Sequence, residues 1–324
     1  MRLENILDVI DGELLNSPAV SSFSGVASEI ENVKHKYLFF AFSRDSVKQA
    51  LQRGAYGIVT QDRDVEYDEE SAFIYVEDID EAFLRFFRFR LLESPIKRYL
   101  LTIEEAVIVE SISSKKELIV FEDMCRKRVD EFFEHPKDVV FVNSVFFNRL
   151  GVECVVYEKR SAAEVYASGL FSCEISLEKL YKVNFCSFFA YYLASSISFL
   201  LENDYELNRA KLFEIPMLEP VFLNKNIEQV DFGKSSRVAI CESRARVFIK
   251  AIEFFVKRVK WGKNLYLAPI DSGIEDHRVI IYKDSEDLGS ILEANEFNYA
   301  LILVPKSGNY DRLFKTRETR KALF

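Results

Sequence analysis

YLFFAFSRDSVKQALQRGAYGIVTQD, residues 37–62, is the stretch whose reading decides the fold. Residues 37–42 read as a buried strand, residues 46–53 as a helix and residues 56–60 as a second strand. Gly54 falls where that helix has to stop, which suits a left-handed cap that only glycine adopts without strain. Strand, short helix and strand in immediate succession imply a crossover between parallel neighbours.

The alternation extends in both directions. Residues 5–15 read as a short helix, 73–76 as a strand, and 80–93 as a helix that Ser94-Pro95 ends. Further strands are expected at 106–109, 138–142, 154–157 and 238–241. A last unit places strands at 279–282 and 299–304 around a helix that Asp284 opens as N-cap. Breaks at Ser94-Pro95 and Trp261-Gly262 divide the chain into three α/β blocks with mainly parallel sheets, at 1–95, 96–262 and 263–324.

Composition narrows the class. In 324 residues, 49% are apolar and 29% charged, with 11 Gly and 7 Pro, which excludes disordered and low-complexity chains. Lys and Arg total 43 against 52 Asp and Glu, a net charge of −9 without a basic cluster, so a dedicated nucleic-acid binder is not expected. Charges at positions 2, 4, 8 and 11 interrupt the N-terminus, so no signal peptide is expected and the chain reads as cytoplasmic. The five cysteines form no C-x-x-C and the three histidines (His35, His135, His277) are far apart, so no metal site is expected. Residues 183–201 run for 19 positions without a charge. A polar stripe of Asn184, Ser187, Tyr191, Ser195, Ser198 and Glu202 marks them as a core helix with one wet edge and argues against membrane insertion. In DEAFLRFFRFRLLE the phenylalanines read as core and the arginines as stems covering apolar surface.

The segment from Ile6 to Asp62 resembles the N-terminal domain of the Mur ligases, and within them the branch that adds D-alanyl-D-alanine to a UDP-muramyl tripeptide. Gly12-Glu13, Leu38-Phe39-Phe40-Ala41, Ala50, Gly54-Ala55 and Ile58-Val59 carry the likeness. FIYVEDIDEAFLRFFRFR is similar to the close of that domain. More faintly, residues 141–156, 184–201, 237–255 and 299–314 are similar to later segments of the family, in order. The resemblance implies an N-terminal α/β domain of the UDP-binding type at 1–95. It implies a central ATPase-like domain with a parallel sheet at 96–262 and a short, truncated C-terminal α/β domain at 263–324.

It also implies ATP chemistry: a carboxylate activated as an acyl phosphate on a glycine-rich phosphate loop, with magnesium. The place expected for that loop is residues 110–117, after the strand expected at 106–109. It holds Ser113, Ser114, Lys115 and Lys116 but no glycine, so the backbone cannot wrap a triphosphate. The family's D-S-R near the uridine site falls on Glu29, Ile30 and Glu31; its D-G-x-x-F is shortened to Ser43-Arg44-Asp45-Ser46. Its D-x-Y-N-A-N-P is replaced by residues 241–246, and its magnesium-binding histidine and modified lysine have no counterpart. Ser43, Arg44 and Asp45, with Lys306 and Ser307 in the C-terminal "KGSR" position, are the substrate-binding candidates the resemblance leaves. No G-x-S-x-G occurs, and Glu104-Glu105 reads as solvated surface rather than an acid–base pair, so no catalytic residue is assigned.

The expectation is a degenerate Mur-ligase-like, non-catalytic protein linked to peptidoglycan precursor synthesis, with a cell-wall synthesis protein or a UDP-muramyl peptide as partner and no cofactor. The alternative is a ligase with a non-standard site for ATP and magnesium. A third reading is an interaction protein with no link to the wall.

Overall fold

The computed structural model describes residues 1–66, 69–114, 117–158, 164–305 and 314. Two compact units emerge, one of residues 1–102 with 114–158, the other of residues 103–113 with 159–324.

The first unit opens with α1 (Leu3–Ile10), β1 (Glu13–Leu14), β2 (Gly25–Ala27), β3 (Tyr37–Phe40), α2 (Arg44–Gln52), β4 (Gly57–Thr60) and β5 (Ala72–Tyr75). The strands form one sheet in the order β1-β5-β4-β3-β2, parallel except for β1. Both faces are covered. Leu38, Phe40, Val59 and Ile74 enter one apolar cluster, and Phe39, Ile58 and Phe73 enter another on the opposite face. This is why residues 37–42 are apolar without alternation. Gly54 takes φ +91°, as its place after α2 requires. At Gly57 a Cβ would lie 2.5 Å from the Phe23 ring, so β4 needs glycine for close approach.

Next come α3 (Ile79–Glu93) and β6 (Arg98–Leu101); the chain then runs through α4 (Ile103–Ile112), part of the second unit, and returns as β7 (Leu118–Phe121). α5 (Arg126–Glu134), β8 (Asp138–Val142), α6 (Val145–Leu150) and β9 (Val155–Val156) complete the unit, whose second sheet is parallel throughout in the order β7-β8-β6-β9. α3 is apolar around most of its circumference because it serves both sheets. Phe83 and Phe86 pack on Phe40, while Phe87 meets Phe121 and Phe132. Phe83, Phe86 and Phe87 are core, as read from the sequence, while Phe89 is only partly buried.

The second unit contains β10 (Glu164–Gly169), β11 (Ser172–Ser176) and β12 (Leu180–Val183), an antiparallel three-stranded sheet, followed by α7 (Ala190–Glu202). Then follow β13 (Glu219–Leu223), β14 (Arg237–Glu242), α8 (Ala245–Arg258), β15 (Asn264–Pro269), β16 (Ile280–Tyr282), α9 (Ser285–Ala294) and β17 (Tyr299–Leu303). These strands form one sheet in the order β13-β14-β17-β15-β16, parallel except for β13. Asp284 caps α9 by accepting from the N–H groups of Glu286 and Asp287, as expected.

Three expectations are corrected. Residues 106–109 are not a strand but the middle of α4. The border placed at 262 falls inside one sheet, because β14 and β15 both pair with β17. The wet edge assigned to residues 183–201 is half wrong: Tyr191 is exposed, but Ser195 and Ser198 are buried. Among the described residues, no helix is long and apolar enough to cross a membrane.

Candidate functional site

A phosphate loop needs a strand, a glycine-rich turn and then a helix whose free N–H groups point at the anion. At residues 106–121 the order is reversed, with α4 first, then Ser113 and Ser114, then β7. The loop therefore follows a helix C-terminus, where the macrodipole carries partial negative charge. Ser113 is buried and bridges to Leu207, and Asn208 donates its N–H to the Ile112 carbonyl. Lys115 and Lys116 lie outside the described residues. The strand that does precede a helix is β6, and only Thr102 separates it from α4. A single residue cannot form a turn around a triphosphate.

Ser43, Arg44 and Asp45 are brought together at the start of α2, all exposed. Ser43 is the N-cap residue but its side chain caps nothing. Arg44 lines a pocket of about 380 Å³ with Val47, Lys48, Leu51, Val65 and Glu66; Ser43 and Asp45 are not in its lining. The Arg44 guanidinium is already engaged, at 3.1 Å from Asp62 Oδ2 and donating to the Asp64 carbonyl at 2.9 Å. Lys306 and Ser307 lie outside the described residues.

The segment resembling the uridine site is a 3-10 turn, Ile30–Asn32, after β2. Its donors converge on a carboxylate of the chain itself, Asp130 of α5. Ser28 N–H, Ser28 Oγ, Glu29 N–H and Asn32 Nδ2 all donate to Asp130, at 2.7–3.0 Å. Burial pushes the Asp130 carboxyl above its ordinary range, and the Asn32, Glu29 and Ser28 donors pull the other way without reversing it. Glu29 itself pairs with Arg126 at 3.0 Å.

The β14–α8 junction, where the family motif is replaced, is closed in the same manner. Glu242, 3% exposed, accepts from the N–H groups of Leu218, Ser243 and Arg244 and from the Arg244 guanidinium at 3.1 Å. Burial raises its carboxyl above the usual range against the pull of Arg244.

Glu104 and Glu105 are not solvated surface, contrary to the sequence reading. Both are buried in the first turn of α4, which packs on α7 and α8. Glu104 Oε1 lies 2.6 Å from Lys250 Nζ, and that ammonium lies 5.3 Å from the Tyr192 ring centre. Ser195 Oγ donates to Glu105 Oε1 at 2.6 Å, which explains a serine inside the helix pack. Through these contacts the pair ties α4 to α7 and α8.

The five cysteines are unpaired thiols. Burial pushes Cys154 and Cys173 to about 11 and Cys241 to about 12, so none of these three is a reactive thiolate. Among the described residues no cluster could hold a metal ion. Sequence reading missed Asp130 and Glu242. The spacing Arg126, Asp130, Glu134 along one helix face was the available signal for the first.

The sheets, their order and their crossovers define a multi-sheet α/β fold. MurF from Acinetobacter baumannii is similar in fold over 96% of this chain and 97% of that chain, with TM-score 0.52 and 9% identity. A MurF ligase from Thermotoga maritima, solved in complex with ADP, is similar over 89% of this chain and 96% of that chain, with TM-score 0.49 and 11% identity. No protein-family model matches the sequence, and no curated protein matches it. The chain has the Mur-ligase fold, as the resemblance at residues 6–62 implied.

Proposed function

We propose that this chain is a non-catalytic Mur-ligase-like protein of peptidoglycan precursor synthesis, working in the cytoplasm by binding a cell-wall synthesis protein and needing neither ATP nor magnesium. The observation that carries the reading is the junction of β6 and α4, where Thr102 alone stands in the place a phosphate loop would need. Two further places support it. The donors of residues 28–32 are spent on Asp130, and Arg44 is spent on Asp62 and Asp64. A UDP-muramyl peptide arriving near residues 29–31 would also meet the exposed Glu31, costing about 1 kcal/mol or more at surface-like dielectric, while Glu29 is already paired with Arg126.

Calorimetry with Mg-ATP tests the reading. No saturable heat is expected below millimolar concentration. A saturable isotherm that Lys115→Ala plus Lys116→Ala abolishes would restore the alternative, a ligase with a non-standard nucleotide site. Titration with a UDP-muramyl peptide, followed by ligand-observed NMR, separates partner from precursor. Low-micromolar binding weakened by Arg44→Ala would make the precursor the ligand.

A further inference from the structure

The contacts that residues 28–32 make to Asp130 are all donors. Ser28 N–H reaches Asp130 Oδ1 at 2.9 Å and Oδ2 at 3.0 Å, and Ser28 Oγ reaches Oδ1 at 2.7 Å. Glu29 N–H and Asn32 Nδ2 reach Oδ2 at 3.0 and 2.9 Å. Two of the donors are consecutive backbone amides. Such a concavity binds anions through fixed partial charges, whatever the side chains around it. Ser28 and Asp130 are both buried, so the two Ser28 donors would have no water to turn to if the carboxylate were removed.

The carboxylate is delivered by a regular element. Arg126, Asp130 and Glu134 recur every four residues on α5 and therefore share a face. Arg126 pairs with Glu29 and lies over the Phe42 ring at 4.4 Å. Glu134 pairs with Lys34 and accepts from Tyr37 Oη at 3.3 Å. The outer two contacts thus hold the middle one in place. A tethered group at high effective concentration excludes a free anion of the same kind.

We infer that residues 28–32 are a receptor for a small carboxylate, and that the chain fills it in cis with Asp130. The inference stands apart from the functional reading above, since it concerns which group occupies the receptor and not what partner the protein has.

The full-length Asp130→Gly variant tests it, melted in rising sodium formate at constant ionic strength held with chloride. The expected result is a saturable rise of the melting midpoint in the variant and none in the unsubstituted chain. A variant insensitive to formate, or one that moves in parallel with the unsubstituted chain, overturns the inference. Should Asp130→Gly fail to fold, Asp130→Asn gives a second reading. Its amide N–H₂ would face converging donors, so it should melt well below the unsubstituted chain; an unchanged midpoint overturns the inference. Hydrogen exchange on the unsubstituted chain should find the Ser28 and Glu29 amides strongly slowed, and rapid exchange there is equally fatal to it.

Discussion

Lys250 is half exposed, while the carboxylate it meets, Glu104, is not exposed at all. Removing the ammonium leaves a buried charge that water reaches only through the vacated path. Lys250→Met should therefore destabilise the protein by about 1–3 kcal/mol, less than a fully buried pair because solvent already screens the lysine. Burial alone would lower the Lys250 ammonium, but Glu104 and Tyr192 outweigh it and hold it above its ordinary value of 10.5. A base raised in the folded state contributes stability that is fully present below its unfolded value and lost as pH rises through the folded one. The stability difference between unsubstituted chain and Lys250→Met, from urea unfolding, should be flat from pH 7 to about 10 and shrink above it. A difference independent of pH to 11.5 would remove the ion pair from the account.

Among the elements, α3 has the largest structural task in the first unit. Phe87 is fully buried and touches the rings of Phe121, Phe132, Phe133 and Phe146. Phe87→Ala should cost about 3–5 kcal/mol, measured by denaturant unfolding, because no single neighbour can collapse into the space. The legibility of the elements follows their surroundings. Residues 37–60 could be read because Gly54 and the apolar runs agree with one another at every level. α4 could not. Val107, Ile108 and Val109 are β-branched, and the helix is buried from Glu104 to Val109, so it shows no polar face and no helical period. The same misreading moved the phosphate loop to the wrong end of a helix. It also made Glu104 and Glu105 look like surface, because nothing local announces Lys250 or Ser195, which lie far along the chain. At the site itself, Asp130 could not be placed beside Ser28 from the sequence, across about a hundred residues.

For the whole molecule, the chain passes between its two units three times, after residues 102, 113 and 158. A fragment of residues 1–158 would hold every strand of the first unit but would leave α4 without α7 and α8. Such a fragment should bind a hydrophobic dye and self-associate, as gel filtration would show, whereas the full chain should run at its own mass. A monomeric fragment that binds no dye would mean that α4 finds another partner within the first unit.

That early excursion of α4 also bears on how the protein is made. Leaving the ribosome N-terminus first, the chain emits an apolar helix long before the helices that will cover it exist. During that interval Val107, Ile108, Val109 and Ile112 are a temptation for any chaperone that recognises short greasy segments. Synthesis rate, rather than final stability, would then set how much of the protein reaches its native state, and slowing translation past residue 158 would lengthen the exposure.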